Sequence, residues 1–387
     1  MIQTKRDQNS WQPAKVSVKE FNSLINKHPE ISVIDEIRRN LEELFLLRNP
    51  KYRFDPERSS ASYGAGKNYQ AEFEQFFTAL NKEDFGNWYY FPWLNATVKY
   101  LPEDLHLELR TGRNKYLITK EEQEKFYNST IAFLGMSVGS HVALVTAMTG
   151  GAKHMKLADP DAFSGDNLNR VRMGFQNIGL NKAVVVARQI SEINPYATIE
   201  LFPQGITEEN AGTILNGSDL IVEEMDNMYW KLKVRELARE FGIPVVMGTD
   251  NGDGAIVDVE RYDLNRNLPI LNGYAKGLSS EKLKSMPAKD IPKVAGKIAG
   301  ANLVVPRMLY SVSEVGKSLY SWPQLGTAAN MCGSLVSMLA RRIIIKDKNI
   351  KSGRYSVNPD SFFESDYNRK WFSRKIAFLK FIKKMTK

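Results

Sequence analysis

Apolar and polar positions change rhythm several times along this chain. Between residues 131 and 260, short apolar runs alternate with amphipathic stretches. The runs at 131–134, 155–159, 198–202, 219–223, 244–247 and 255–260 predict strands, bounded as they are by polar residues and turn formers. The stretches at 139–149, 182–193 and 228–241 carry apolar residues at helical spacing and predict helices. Asn194-Pro195 and Gly242-Ile-Pro244 supply helix stops. Such alternation predicts an α/β fold, a Rossmann-like, doubly wound and mostly parallel sheet with helices on both faces.

The flanks follow other rules. Residues 1–110 predict a smaller, mainly helical N-terminal region, with helical spacing of Ile, Leu and Phe over 34–47 and a strand over 96–101. Trp88-Tyr-Tyr-Phe-Pro-Trp93 reads as a packing seam rather than a binding platform. Gly64-Ala-Gly66-Lys67 lacks the full phosphate-loop spacing and reads as an ordinary loop. Residues 111–130 read as a linker and a helix leading into the first strand. From 276 to 325 the alternation is lost among Lys, Ser, Gly and Pro, apart from a short helical piece at 280–285. A stretch this long is commonly a lid or a substrate-binding crossover. Residues 326–344 then predict a buried helix with small residues for close packing, and Cys332 inside it reads as a core residue, not a nucleophile. The domain reading is therefore 1–110, 111–345 (with 276–325 as crossover) and a C-terminal extension over 346–387.

Composition narrows the class. Hydrophobic residues make up 43% and charged residues 25% of the 387, ordinary for a soluble globular protein. No run approaches the ~20 apolar residues of a membrane span, and the first residues carry no secretory signal, so the chain reads as cytoplasmic. A single cysteine excludes an internal disulfide and a Cys-x-x-Cys zinc site. The four histidines, His28, His106, His141 and His154, are scattered and read as structural. The net charge of +9 is concentrated at one end, because residues 369–387 hold eight Lys/Arg and no acids. The body is thus nearly neutral, which argues against nucleic acid as a partner. The tail carries Phe372, Ile376 and Leu379 at helical spacing among its cations. It predicts a basic amphipathic helix that either packs on the body, the favoured reading, or lies on an anionic membrane surface.

The chemistry concentrates between 131 and 182. An apolar strand enters the turn Gly135-Met-Ser-Val-Gly139-Ser140, a helix follows, and a second strand ends in Asp159, 24 positions after Gly135. This is the layout of a mononucleotide-binding βαβ unit: glycines admit the phosphates, the helix N-terminus presents N–H groups, and the acid suits ribose hydroxyls. Asn167, Arg170 and Lys182 follow closely. These extra polar and cationic groups suit a triphosphate better than the pyrophosphate of a nicotinamide dinucleotide.

Together these residues resemble the ThiF/MoeB/HesA superfamily, bacterial relatives of ubiquitin-activating enzymes. The resemblance covers about 110–265 well and the helix near 326–345 loosely. It rests on Arg110-Thr-Gly-Arg113 followed by Glu122-Gln-Glu-Lys-Phe126, on Asp159-Pro-Asp161, and on Asn167-Leu-Asn-Arg170. Gly179-Leu-Asn-Lys182, Glu192-Ile-Asn-Pro195 and Met225-Asp226-Asn227 complete it. It implies an ATP-dependent adenylyltransferase that activates a carboxylate, such as the C-terminus of a peptide or small carrier protein, as an acyl-adenylate. It also implies ATP and Mg2+ as cofactors. Gly135, Ser137, Gly139, Asp159, Asp161, Asn167, Arg170, Lys182 and Asn227 would cradle the nucleotide, and Asp226 would sit near the metal. Arg113 would act with Arg170, Lys182 and Asp226, reaching the phosphates from the neighbouring subunit of a homodimer. The chain departs from the family pattern in a glycine turn one residue short, in Ser137 where glycine is expected, in Val171 where glutamine is common, and in lacking the zinc cysteines and any cysteine within 276–325. Two other readings stay open: a non-catalytic adapter that kept the fold, and a nicotinamide-dependent oxidoreductase.

Overall fold

A computed structural model describes residues 10–53, 69–80, 85–287, 290–300, 303–367 and 369–385. The Gly64–Lys67 loop expected above lies outside the described residues. The chain divides into two compact units: Met1–Gln123 with Met148–Gly150 and Ser191–Tyr196, and Glu124–Ala147, Gly151–Ile190 and Ala197–Lys387.

The first unit contains β1 (Ala14–Val16), α1 (Val18–Lys27), β2 (Ser32–Asp35), α2 (Ile37–Arg48), α3 (Gln70–Leu80), β3 (Asn87–Phe91), β4 (Ala96–Tyr100) and α4 (Glu103–Thr111). The boundary between units falls inside α5 (Lys120–Tyr127) rather than at 110. Helices dominate, yet the region also holds a four-stranded sheet in the order β1-β3-β4-β2. Only part of that sheet was foreseen. The reason is physical: β2 is exposed along its whole length and β1 has three residues, so neither shows an inward face. The helical spacing expected from 34 starts at Ile37, and residues 34–35 belong to β2. Leu41, Leu44 and Phe45 of α2 close a core with Phe73 of α3. The aromatic seam is real: Trp88, Tyr89 and Phe91 are buried, and Trp88 stacks on Phe21 with ring centroids 4.0 Å apart. At the start of α1, Ser17 and Glu20 form a reciprocal capping box.

The second unit runs through β5 (Thr130–Leu134), α6 (Val138–Met148), β6 (His154–Ala158), α7 (Lys182–Ile193), β7 (Thr198–Phe202), α8 (Ala211–Leu215), β8 (Leu220–Glu223), α9 (Met228–Phe241), β9 (Val245–Asn251) and β10 (Gly254–Glu260). After these come α10 (Ser280–Lys284), α11 (Ile291–Ala299), α12 (Pro306–Ser313), α13 (Gly326–Ile344), β11 (Gly353–Val357), α14 (Asp360–Phe363) and α15 (Trp371–Met385). Seven strands form one sheet in the order β11-β10-β9-β8-β5-β6-β7. Strands β7, β6, β5, β8 and β9 are parallel, while β9-β10 and β10-β11 are antiparallel. The mostly parallel Rossmann-like sheet is as expected, and the antiparallel edge is the addition.

Both faces of the sheet are covered. Ala132 and Leu134 join Ile214 of α8 and Val234 of α9 in one core, while Ile131 and Phe133, pointing the opposite way, are equally buried. A Cβ on Gly333 of α13 would stand 2.3 Å from His141 Cβ of α6, so the small residues expected in that helix permit a close crossing. Gly242 ends α9 in a left-handed conformation, φ +71°.

Burial also hides an ionic network. Arg235 of α9, fully buried, donates to Glu223 at the end of β8 and to Glu260 of β10, and Lys231 adds a 3.0 Å pair to Glu223. Each charge is compensated, so the cluster locks α9 against the strand end that leads into the site.

The 276–325 region is more ordered than its composition implied. Ile291, Val294 and Ile298 of α11 pack with Leu271, Leu283 and Met247. Pro292 and Gly296 had masked that helix, although Pro in a first turn is compatible with one. The tail helix α15 packs on α12, but not through the stripe expected from its spacing. Phe372, Ile376 and Leu379 are exposed, whereas Ala377, Phe378 and Phe381 are partly covered. Apolar residues occur around much of this helix, so spacing alone admitted two faces.

Candidate active site

The sheet reverses its winding between β5 and β8, and ligands of open α/β sheets gather at the carboxyl ends of strands beside such a switch. Here the end of β5 is Gly135. Its φ is +90°, and a Cβ would lie 2.7 Å from the Glu224 carbonyl oxygen just after β8. Glycine is required at this crossing on both counts. Gly139 is different: it lies in the first turn of α6, where a Cβ would meet Glu224 only at an ordinary 3.5 Å. Ser137 lies between them and borders the cavity described below.

Asp159 follows β6 and is buried. Its two carboxylate oxygens accept the backbone N–H groups of Met136 and Asp161. Burial raises its pKa, and these two N–H donors oppose the rise. The carboxylate therefore stitches the glycine turn to the end of β6, and any ribose contact falls to its remaining lone pairs. Asp161 is exposed and holds the Lys182 ammonium at 2.9 Å. Asn167 is buried in a reciprocal cap with Ser164 that folds the turn Gly165–Asn169. Arg170 donates to the Asp166 carbonyl at 2.9 Å and to Asn169 at 2.8 Å, while its buried Nε has no hydrogen-bond partner among the described residues. Its own carbonyl is tied to His141 of α6 at 2.7 Å. Asn167, Arg170 and Lys182 are thus prepositioned cations and polar groups with local partners that a polyphosphate would have to replace.

Beyond β8 and β9 lies a cavity of about 190 Å3. Met247, Ile256, Ile298 and Trp322 supply much of its apolar wall, and Glu224, Asp226 and Asp250 supply carboxylates. Asp226 is exposed. Asn227 does not line the cavity, because its side-chain oxygen caps α9 by accepting Trp230 N–H at 3.1 Å. Burial drives the Glu224 carboxyl well above its usual range, against the Gly248 N–H that donates to it at 2.7 Å. Burial likewise pushes Asp250 up to about 6, eased by Cys332 and Gln324. Asp250 accepts from Cys332 Sγ at 3.3 Å through Oδ1, whereas its buried Oδ2 has no hydrogen-bond partner among the described residues. Cys332 itself is buried and its thiol is pushed upward by burial, which suits a core residue and not a nucleophile. Arg113 belongs to the first unit, exposed in the turn Gly112–Asn114.

Sequence reasoning missed Glu224, Asp250 and Arg354 as cavity residues. It ended the strand at 247, but β9 continues to Asn251 because it is clamped in a hairpin, with Asp250 opposite Ala255. The signal was present as acids near strand ends. Their polarity made them read as loop.

Residues 111–373 match the ThiF family. The chain belongs to the ThiF family. An uncharacterized protein of Mycobacterium tuberculosis is 35% identical over 277 residues, covering 71% of this chain and 38% of that protein. The sulfur carrier protein adenylyltransferase of Thermus thermophilus is 28% identical over 129 residues, covering 33% of this chain and 48% of that protein. This ThiF-family chain therefore spans less than half the length of each of these two relatives. The structure of E. coli tRNA N6-threonylcarbamoyladenosine dehydratase aligns with a TM-score of 0.45 and 19% identity, over 62% of this chain and 94% of that one. Among the described residues, no helix is long and apolar enough to cross a membrane.

Proposed function

We propose that this ThiF-family chain is an ATP-dependent adenylyltransferase that activates the carboxylate of a peptide or small carrier protein. The observation that carries the reading is the meeting, at the sheet's switch point, of the Gly135 turn and its Asp159 stitch with the acid-bearing end of β8. Names borne by relatives, such as sulfur carrier protein adenylyltransferase, support the class of reaction.

In this reading the carboxylate attacks the α-phosphorus of ATP, an acyl-adenylate forms and pyrophosphate leaves. The N–H groups at the start of α6 receive phosphate oxygens, with Gly135, Ser137 and Gly139 leaving room for them. Asp159 and Asp161 border the ribose side. Asn167, Arg170 and Lys182 give up their local partners and spread over the triphosphate, where they offset charge that accumulates during attack. Asp226 and Asn227 stand at the mouth. The donors suit Mg2+, since the carboxylates offer only hard oxygen ligands, and no group of three acids, His or Cys among the described residues is arranged as a metal cage. Asp226 would hold the ion together with the phosphates, and bound Mg2+ would supply charge neutralisation there. Arg113 would complete the site of a neighbouring copy in a homodimer, in a cytoplasmic setting. The exposed Phe372, Ile376 and Leu379 among lysines suit an anionic membrane surface.

ATP–pyrophosphate exchange with candidate acids tests the reading. Exchange that is lost in a folded Asp226→Ala variant supports it. Exchange unchanged in that variant refutes the site, and ATP binding without exchange for any acid favours the non-catalytic adapter.

A further inference from the structure

Arg170 stands in a short loop that is fastened from outside its own motif. Its Nη1 donates to the Asp166 carbonyl at 2.9 Å and to the Asn169 side-chain oxygen at 2.8 Å. Nη2 is left with a loose 3.9 Å ion pair to the Asp166 carboxylate. The guanidinium is thus held firmly along one side, and its partner on the other is weak enough for an incoming anion to displace. Val171, next in the chain, packs with Phe163, Leu180 and Val185 and offers no polar side-chain atom to help.

Both residues that hold Arg170 are themselves held by the return end of the crossover. Asn169 donates its side-chain N–H at 2.9 Å to the carbonyl of Gln324, a residue 155 positions further along the chain. A carbonyl oxygen can only accept, so this bond turns the Asn169 amide nitrogen toward the crossover and its oxygen toward Arg170. The Asp166 carboxylate accepts the hydroxyl of Tyr320, as well as that of Ser164. Two relays therefore run from the guanidinium to the crossover, one through Asn169 to Gln324 and one through Asp166 to Tyr320.

The backbone tightens the same junction. Gly326 opens α13, and a Cβ there would lie 2.7 Å from the Asn169 carbonyl oxygen, so a side chain would force the two segments apart. One turn later, Asn330 accepts from Arg172 Nε at 2.7 Å and donates to the Gly326 carbonyl at 2.7 Å. Asn169 and Tyr320 are both exposed, so neither of their bonds fills a need of the core. What the two bonds do fix is the direction of one guanidinium.

Building on the reading in which Arg170 meets the triphosphate, we propose that Asn169 and Tyr320 are positioning residues, through which the return end of the crossover sets the Arg170 guanidinium for a phosphate oxygen. That oxygen takes the place of the Asp166 carboxylate at Nη2, while the Nη1 bonds stay. A long side chain is then ordered before ATP arrives, which lowers the entropic cost of binding. Residues far downstream of the motif thereby tune the grip on the phosphates and leave the adenosine half untouched.

The test uses the full chain and calorimetric titration with ATP in the presence of Mg2+, and with adenosine. Asn169→Ala should weaken ATP binding about tenfold and Tyr320→Phe about threefold, each with adenosine affinity and thermal stability unchanged. Gly326→Ala, which wedges the junction open, should act in the same direction as these two surface variants. In an Arg170→Ala background, Asn169→Ala should no longer alter the ratio of ATP to adenosine affinity, a coupling that general loosening of the loop would not produce. Unchanged ATP binding in Asn169→Ala, equal losses for ATP and adenosine, or an effect that persists in full without Arg170 each overturn the proposal and leave the adenylation reading standing. Tighter ATP binding in Asn169→Ala also overturns it, since the junction would then restrain Arg170 rather than present it. An Arg170→Ala variant with an unaltered ATP-to-adenosine ratio refutes the phosphate role of Arg170 itself, and the proposal with it.

Discussion

An acid buried behind the cavity should cost the protein stability once it ionises, and that cost is measurable. Asp250 in the unfolded chain ionises near 3.8, but in the fold burial holds the proton to about 6. The carboxyl is thus raised, so the sign is fixed: the fold carries no penalty below pH 4, and loses stability as pH rises through about 6. The difference corresponds to about 3 kcal/mol at neutral pH by linkage. The groups facing Asp250 modulate this. Cys332 of α13 and the Gln324 side chain favour the ionised form by hydrogen bonding, Arg170 favours it by charge, and Glu224 and Asp226 repel it. Asp250→Asn removes the ionisation. Its new amide N–H adds a cost of about 1–3 kcal/mol if it finds no acceptor, so absolute stability is a poor readout. The pH dependence is the clean one. Denaturant unfolding of the native protein and the variant, without nucleotide, should give stability curves whose difference is flat below pH 4 and shifts in the variant's favour by about 2–3 kcal/mol between pH 4 and 7. A difference that stays constant across that range would refute burial of a titrating carboxyl with a raised pKa at this site.

Four further outcomes can be checked. Arg170→Ala and Lys182→Ala should weaken ATP binding more than adenosine binding in calorimetric titrations, and equal losses for both ligands would remove their phosphate role. Cys332→Ala should keep exchange activity with a stability loss of about 1 kcal/mol, whereas a thiol-sensitive adduct formed on Cys332 during turnover would reverse its assignment as a core residue. Mixing Arg113→Ala with Asp226→Ala subunits should restore part of the lost activity, and an active monomer at assay concentration would exclude the shared site. Deleting residues 368–387 should destabilise the protein if packing of α15 on α12 is the tail's role, whereas loss of salt-sensitive binding to anionic vesicles, at about 1 kcal/mol per basic residue near the surface, with stability unchanged would assign it to a membrane surface.

How much of this was legible in the sequence depends on where each residue's partners lie. The central parallel strands β5 and β8 were readable because almost every residue in them is buried and their apolar runs are nearly continuous. Helix α7 matched its expected bounds, 182–193, and α9 matched 228–241, because an apolar stripe at helical spacing ends at Asn194-Pro195 in one and at Gly242 in the other. The four-stranded sheet of the first unit was only partly readable, because β2 has no buried residue to mark an inside. The tail helix shows the converse failure. Its spacing was right, but Phe378 and Phe381 compete with Phe372 and Leu379 for the inward side, and only contact with α12 decides.

The same distinction runs through the site. Asp159, Asn167, Arg170 and Lys182 stand in short motifs, and the structure gives each a partner within a few residues or one βαβ unit: Met136, Ser164, Asp166 and Asp161. A motif is visible in sequence because its geometry is local. Glu224 and Asp250 are made special by what lies across the fold: Gly248 for one, Cys332 of α13 for the other, and the crossover helices that close the cavity over both. An acid at a strand end is common, and nothing in its neighbours distinguishes a solvated one from one buried by distant packing. On the adenylation reading proposed above, the local motifs mark the half of the site that would hold the nucleotide, and selection among acids would fall to the half built by long-range packing. It follows that substitutions which leave every motif intact, at Met247, Ile298 or Trp322, should alter which acid is accepted more than how ATP is held.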